Sequence, residues 1–220
     1  MSNLNIQHLF STPMAAIEHP DKQRLNAALR QRILAMEAEG ERHRDHVRRS
    51  TQGGELFESN FDFFKRSEPE IQELAGFCHK ALASVVVQLS NMDEALFRTL
   101  QFHYDAWFHV SRKGAYQGVH NHQNASWSGI YCVDPGDETP TQPTSGLVRF
   151  HDPRPNIQMY ADGGNEHLND NVRYTAIDLK HHAGKLTVFP SYLMHEIFPY
   201  VGERPRIVVA FNCSIRPAAR

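Results

Sequence analysis

The sequence predicts a mainly β fold, a sandwich or barrel-like roll with a helical flank. Three observations predict it. Before Ala95, apolar residues recur at three- and four-residue steps, the helical period. After Ala95 they alternate at period two. From there about eight short runs follow one another, separated by Gly, Pro and Asn turn signals.

Taken in order, Leu25, Ala28, Leu29, Ile33 and Met36 mark one apolar face between Asp21 and Glu39, and Gly40 supplies a stop. A second helix is expected from Ser67. Ser67 and Glu70 have capping-box spacing, Pro69 suits a first turn, and Ile71, Leu74, Cys78, Leu82, Val85 and Leu89 form the stripe. Phe102, Tyr104, Ala106, Phe108 and Val110 then alternate with polar residues and Trp107, as in a strand. Gly114 and Gly118 mark a turn. Residues 128–133, 147–151, 174–179, 185–190 and 206–213 read as further strands. Residues 134–145 form a loop, and the long Asp152–Arg173 loop is a candidate lid. The chain reads as one domain over 1–220, with a mostly helical flank over 1–95 and a β core over 96–215.

Composition excludes several classes. With 40% hydrophobic and 22% charged residues and a formal net charge of −2, nothing favours nucleic acid or an anionic membrane as partner. The basic stretch Arg42–Arg49 is interleaved with Asp and His and reads as a solvated face. No apolar run approaches the ~20 residues of a membrane span, and Met1 to Phe10 lacks the features of a secretory signal. Cys78, Cys132 and Cys213 are widely spaced and odd in number, which suits a reduced cytoplasmic protein. The 14 histidines exceed ordinary usage, and their clustering between His103 and His122 stands out.

Within that cluster lies Val119-His120-Asn121-His122. On a strand, residues i and i+2 share a face, so both imidazoles can serve one small cation. Taken alone, such a pair is more often two partly exposed histidines in a polar turn. A later block shifts the balance. A strand runs into Phe189-Pro190-Ser191, a turn delivers His195, and a Gly-containing turn leads to Arg206 at the head of an apolar strand.

With these motifs the chain resembles the 2-oxoglutarate- and Fe(II)-dependent oxygenases, on the prolyl-hydroxylase side, and especially an uncharacterised bacterial group of similar length. The resemblance runs through Leu9–Pro13, Leu25–Leu29, Trp107–Val110 and His120 to Tyr131. Its most specific stretches are Arg149–Arg154 and the 184–213 block.

The resemblance implies a double-stranded β-helix, a jelly-roll core of cupin-like form, carrying Fe(II) with 2-oxoglutarate as co-substrate. It implies hydroxylation of a small molecule, amino-acid derivative or peptide. His120 and His195 would be metal ligands and Arg206 the clamp on the far carboxylate, which a planar guanidinium suits. Arg204 competes with Arg206, which shares a strand face with Val208, Ala210 and Asn212. Ser128, Cys132 and Asn212 are further candidates for the co-substrate site. Trp107, His109, Trp127 and Tyr192 are candidates for a substrate pocket, although core packing explains aromatics on strands equally well.

The chain departs from the family pattern in two places. Where the family usually carries Asp or Glu two residues after the first ligand, His122 stands here. The third ligand is then His122 or a carboxylate such as Asp105, or His122 itself comes first with Asn124 following. Where related sequences often have an aromatic hydroxyl, Cys132 offers only a weak donor and reads equally as a small buried hydrophobe. Two other functions stay open: a cupin-like three-His iron dioxygenase that needs no oxo acid, and a non-catalytic metal-binding domain. A homodimer is compatible with the sequence, which does not identify the substrate.

Overall fold

The alternation that begins at Phe102 reflects a strand exposed on one face as far as Asp105 and buried on both faces from Ala106 onward, and this strand with its partners forms the centre of the molecule. The computed structural model describes residues 5–47, 49–155, 162–169, 172 and 175–218. Along the chain come β1 (Ala15–Glu18), α1 (Lys22–Ala38), β2 (Gln52–Gly53), β3 (Leu56–Glu58), α2 (Pro69–Gln88) and α3 (Glu94–Phe97). Then follow β4 (Leu100–Ser111), β5 (Tyr116–His120), β6 (Trp127–Asp134), β7 (Val148–Phe150), β8 (Ile177–Leu179), β9 (Lys185–Pro190), β10 (His195–Ile197) and β11 (Arg206–Pro217).

These strands make two antiparallel sheets. One has the order β1-β9-β6-β11-β4-β3 and the other β2-β5-β10-β7-β8. The first is the larger and is built on the long β4–β11 pair, whose register places Trp107 opposite Ala210 and His109 opposite Val208. On the other side of β11, Ser128, Ile130 and Cys132 of β6 lie opposite Asn212, Ala210 and Val208.

Alternation sorts the side chains of this sheet into two cores. Ala106, Phe108, Val110, Tyr131, Val133, Ile207, Val209 and Phe211 turn outward to meet Leu25, Leu29 and Ile33 of α1 and Ile71, Leu74 and Leu82 of α2. Trp107, Ile130, Phe189, Val208 and Ala210 turn inward toward Val148, Phe150 and Ile197 of the smaller sheet. A buried polar link fastens α1 to the larger sheet: Asn26 donates from Nδ2 to the Val133 carbonyl at 2.8 Å and accepts from the Tyr131 hydroxyl at 2.7 Å.

Several sequence expectations need correction. Ser67 does not cap α2, which starts at Pro69 after Glu68 and has no side-chain cap. Glu70 instead pairs with Arg32 of α1 at 2.8 Å. Leu89 lies past the end of the stripe and is exposed, and the buried residue at its C-terminal end is Val86. Gly118 lies within β5, where its amide donates to the Thr51 carbonyl at 2.6 Å. A Cβ on residue 118 would meet the Thr51 carbonyl at 3.5 Å, an ordinary contact, so the position follows strand pairing rather than a need for glycine. Strands β1, β2 and β3 were not foreseen, and all three come from the helical flank. Of the candidate lid, residues 156–161, 170, 171 and 173 lie outside the described residues, as does residue 174 of the expected 174–179 strand.

Asn26→Ala should cost about 1–3 kcal/mol, because it leaves a buried hydroxyl and carbonyl unmet. Urea unfolding would measure this, and an unchanged midpoint would show that the link contributes nothing.

Candidate metal centre

His120 ends β5 and His195 opens β10, and these two residues face each other across the antiparallel pair. Phe150 of β7 flanks His195 on its other side. His122 lies two residues beyond β5, where its amide donates to the Ser191 carbonyl at 3.0 Å. The convergence expected of a strand therefore arises from a strand end and the turn after it. One ring nitrogen from each of His120, His122 and His195 lies within 4.8 Å of the others.

Two backbone contacts orient the rings. His120 Nδ1 lies 2.7 Å from the Gly118 carbonyl, and His195 Nδ1 lies 2.9 Å from the Leu193 carbonyl. A carbonyl only accepts, so each Nδ1 carries a hydrogen and each Nε2 keeps its lone pair for a ligand role. Phe150 and Phe189 pack against His195 with ring centres 5.5 and 5.2 Å away.

Burial also keeps these imidazoles neutral. It lowers His122 to about 3, with the neighbouring His195 and His120 adding to the shift. It lowers His195 to about 4, with His120 next in effect. His120 shifts in the same direction for the same reason. Neutral imidazole is the form that binds a metal, and a divalent ion would offset the loss of solvent.

The cavity beside the triad is lined by Trp107, His109, Ser128, Val208 and Arg206, among others. Arg206 is only 4% exposed, yet among the described residues its guanidinium has no ion pair or hydrogen bond. Burial lowers its proton affinity, with only the Cys132 thiol and Tyr200 hydroxyl opposing. Gly146 provides its seat. A Cβ there would come within 3.1 Å of Arg206 Cδ, and the backbone has φ +65°. A buried cation with no carboxylate is costly unless a ligand supplies one.

The other expected residues divide. Arg204 is bound to the loop before β7, with Nε donating to Asp137 Oδ1 and Nη2 to the Gly136 carbonyl, both at 2.7 Å. Asp105 is exposed, and among the described residues it is not part of the metal-competent group. Asn124 is exposed as well, with φ +66°. Ser128 lines the cavity but gives its hydrogen to Asn212 Oδ1 at 2.7 Å and therefore accepts from Ser191. Asn212 is thus held by Ser128. Cys132 is fully buried beside Val208 on the inward face, and burial pushes its thiol up to about 12. Trp107 and His109 line the cavity, whereas Trp127 packs toward the helix-facing core and does not line it. Tyr192 is exposed.

One feature had no sequence signal. His109 Nε2 lies 2.6 Å from Glu58 Oε2 in β3, its cross-strand neighbour, and both are buried. Gln52 Nε2 donates to the same oxygen at 2.8 Å, and Arg49 binds the other. Burial raises the Glu58 carboxyl, but its contacts with His109, Arg49 and Gln52 outweigh that and hold it low. Only the β3–β4 register brings Glu58 to His109.

Residues 105–212 match the family described as "Putative 2OG-Fe(II) oxygenase". No curated protein matches the sequence. Among solved structures the chain is similar to a prolyl-4-hydroxylase from Pseudomonas putida, with 16% identity over 92% of each chain and a TM-score of 0.62. It is similar to a Trichoplax adhaerens prolyl hydroxylase in complex with a hypoxia inducible factor peptide fragment, with 10% identity over 91% of this chain and 83% of that one, TM-score 0.59. It is also similar to HygX from Streptomyces hygroscopicus with nickel and 2-oxoglutarate bound, with 14% identity over 93% and 83%, TM-score 0.57. These likenesses establish the fold as the double-stranded β-helix expected from the sequence.

The depressed imidazoles set an acid limit on the metal-free protein. Below an unfolded value near 6.5 the unfolded chain binds more protons, so stability present above that pH is lost as pH falls toward 4. The urea midpoint of the metal-free protein should therefore drop between pH 7 and 5, and His122→Phe should flatten the slope. A midpoint independent of pH would contradict this.

Proposed function

We propose that this chain is a member of the family that residues 105–212 match, the 2OG-Fe(II) oxygenases, and that it holds iron(II) with His120, His122 and His195 and grips 2-oxoglutarate with Arg206. The observation that carries this reading is the unpaired, buried Arg206 guanidinium in the same cavity as the three imidazoles. A dicarboxylate complements both ends chemically. One carboxylate meets the guanidinium through paired N–H donors, and the oxo-acid end meets the cation at the triad.

Three neutral ligands leave an iron(II) site with a full 2+ charge, one unit more positive than a site with two His and a carboxylate. That charge favours a dianionic co-substrate and weakens retention of the metal. Iron and oxo acid together supply the oxidising chemistry. The chain's part is to fix the imidazole tautomers through Gly118 and Leu193, to seat the anion on Arg206, and to exclude water with Phe150, Phe189 and Val208.

The substrate we infer is a small molecule or an amino-acid or peptide side chain, and the reaction a hydroxylation. A cleft of about 560 Å³ supports this, lined in part by residues 7–12, Met14, Phe150, residues 151–154 and Leu193. It lies directly beside Phe150 and Leu193, which both touch His195, and its volume is typical of small-molecule sites. Three buried, unpaired thiols favour a reducing compartment such as the cytoplasm. Among the described residues no helix is long and apolar enough to cross a membrane.

Anaerobic addition of iron(II) and 2-oxoglutarate should produce a weak visible metal-to-ligand charge-transfer band. Arg206→Ala should weaken 2-oxoglutarate binding about 10- to 100-fold, as loss of charged hydrogen bonds requires. No band with iron demonstrably bound would overturn the reading. An Arg206→Ala variant of full activity would favour a three-His dioxygenase that uses no oxo acid.

A further inference from the structure

Trp107 carries a polar atom that nothing in the fold satisfies. Its Nε1 is buried and has no hydrogen-bond partner, and the residue is only 4% exposed. Two other buried side-chain atoms among the described residues share that condition, Asn60 Oδ1 and Asp62 Oδ1, and both are acceptors outside the cavity. An unmet buried donor costs about 1–3 kcal/mol, and a phenylalanine at this position would bury similar apolar surface without that cost.

The ring is held firmly. It packs against Phe61 at 4.7 Å between ring centres and against His109 at 6.3 Å, and His109 is itself anchored by Glu58. On its other side it reaches His122, with ring centres 5.6 Å apart. Trp107 and His122 both line the cavity.

An indole N–H only donates, so its partner must accept. Glu58, the buried carboxylate on this wall, is already bound by His109, Gln52 and Arg49. The other polar groups of the lining are the unpaired Arg206, another donor, Ser128, which is paired with Ser191 and Asn212, and Gln117 and the imidazoles, and none of them reaches the indole N–H. The acceptor therefore comes from outside the protein, as solvent in the empty cavity or as an oxygen of the ligand that displaces it. Position selects which part of the ligand it is. Trp107 lies opposite Ala210, four residues along β11 from Arg206, or about 13 Å of strand. It stands at the triad end, away from the guanidinium.

We propose that Trp107 Nε1–H is a binding donor to the carboxylate of the oxo acid at the three-histidine end, while Arg206 takes the far carboxylate. This rests on the function proposed above and moves Trp107 from the substrate side of the pocket to the co-substrate side. It also gives the chain a means of steering the oxo acid at a site whose ligands carry no negative charge.

The test is 2-oxoglutarate binding to the zinc(II)-loaded protein, measured by calorimetry without turnover. Two variants remove the N–H: Trp107→Phe, and replacement of Trp107 by 3-benzothienylalanine, which keeps the bicyclic shape. Both should weaken binding about 10-fold, with zinc stoichiometry unchanged and, for the benzothienyl variant, a urea midpoint no lower than that of the parent. In a Trp127→Phe background, where residue 107 is the sole indole, 2-oxoglutarate should also change the emission. If neither variant alters affinity, or if only the phenylalanine does, the indole acts through packing and the proposal fails while the oxygenase reading stands. If the parent protein does not bind 2-oxoglutarate at all, both fall together.

Discussion

The constraint on which the rest of the structure depends is the two-sided burial of β4, β6 and β11. Period-two alternation sends every second side chain outward to the helices and the others inward to the cavity. Phe108, Tyr131 and Val209 thereby join a purely structural core, while Trp107, His109, Ser128 and Arg206 reach the candidate site from the same strands. A slip of one residue in the β4–β11 register would exchange the two sets. The outward core therefore does more than stabilise. By fixing register through the packing of α1 and α2, it decides which residues the cavity receives.

Electrostatics then separates this cavity from an ordinary interior. The smaller sheet and the turn after β5 contribute three imidazoles kept neutral by burial, with two of their tautomers set by backbone carbonyls. The larger sheet contributes an unpaired guanidinium and an unpaired indole N–H. The one buried carboxylate on this wall, Glu58, is spoken for by His109, Arg49 and Gln52. What the cavity lacks is negative charge and hydrogen-bond acceptors. A dicarboxylate brings both, and a metal ion brings the positive charge that the three lone pairs can bind.

Much of this was legible in the sequence because strands report their own periodicity. The alternation around Phe102–Val110, the inward set of Arg206, Val208 and Ala210, and the spacing of His120, His122 and His195 all rest on local pattern. What local pattern could not supply was pairing. Strands β1, β2 and β3, with two to four residues each, carry too few residues to show a period. The Glu58–His109 contact exists only through the register of β3 on β4. Trp127 misled for a related reason. It precedes Ser128, so alternation sends the two residues to opposite faces, and only the packing of α1 and α2 reveals that the face of Trp127 is the structural one. Ser67 and Glu70 had the right spacing for a cap, but Pro69 at the helix start and the ion pair of Glu70 with Arg32 took precedence.

The distribution of unmet groups provides the final step. Native interiors satisfy their polar atoms, and departures from that rule are expected where function requires them. Here a buried guanidinium, an indole N–H and two tautomer-fixed imidazole lone pairs converge on a single cavity. Elsewhere in the fold buried Asn26 finds Tyr131 and Val133, and Glu58 finds three donors, while the unmet atoms outside the cavity among the described residues are two acceptors, Asn60 Oδ1 and Asp62 Oδ1. A chain able to satisfy those groups could have satisfied the cavity too, for example with a carboxylate near Arg206 or a phenylalanine at 107. Leaving them unmet lowers the stability of the empty protein and raises its affinity for a ligand that completes the set.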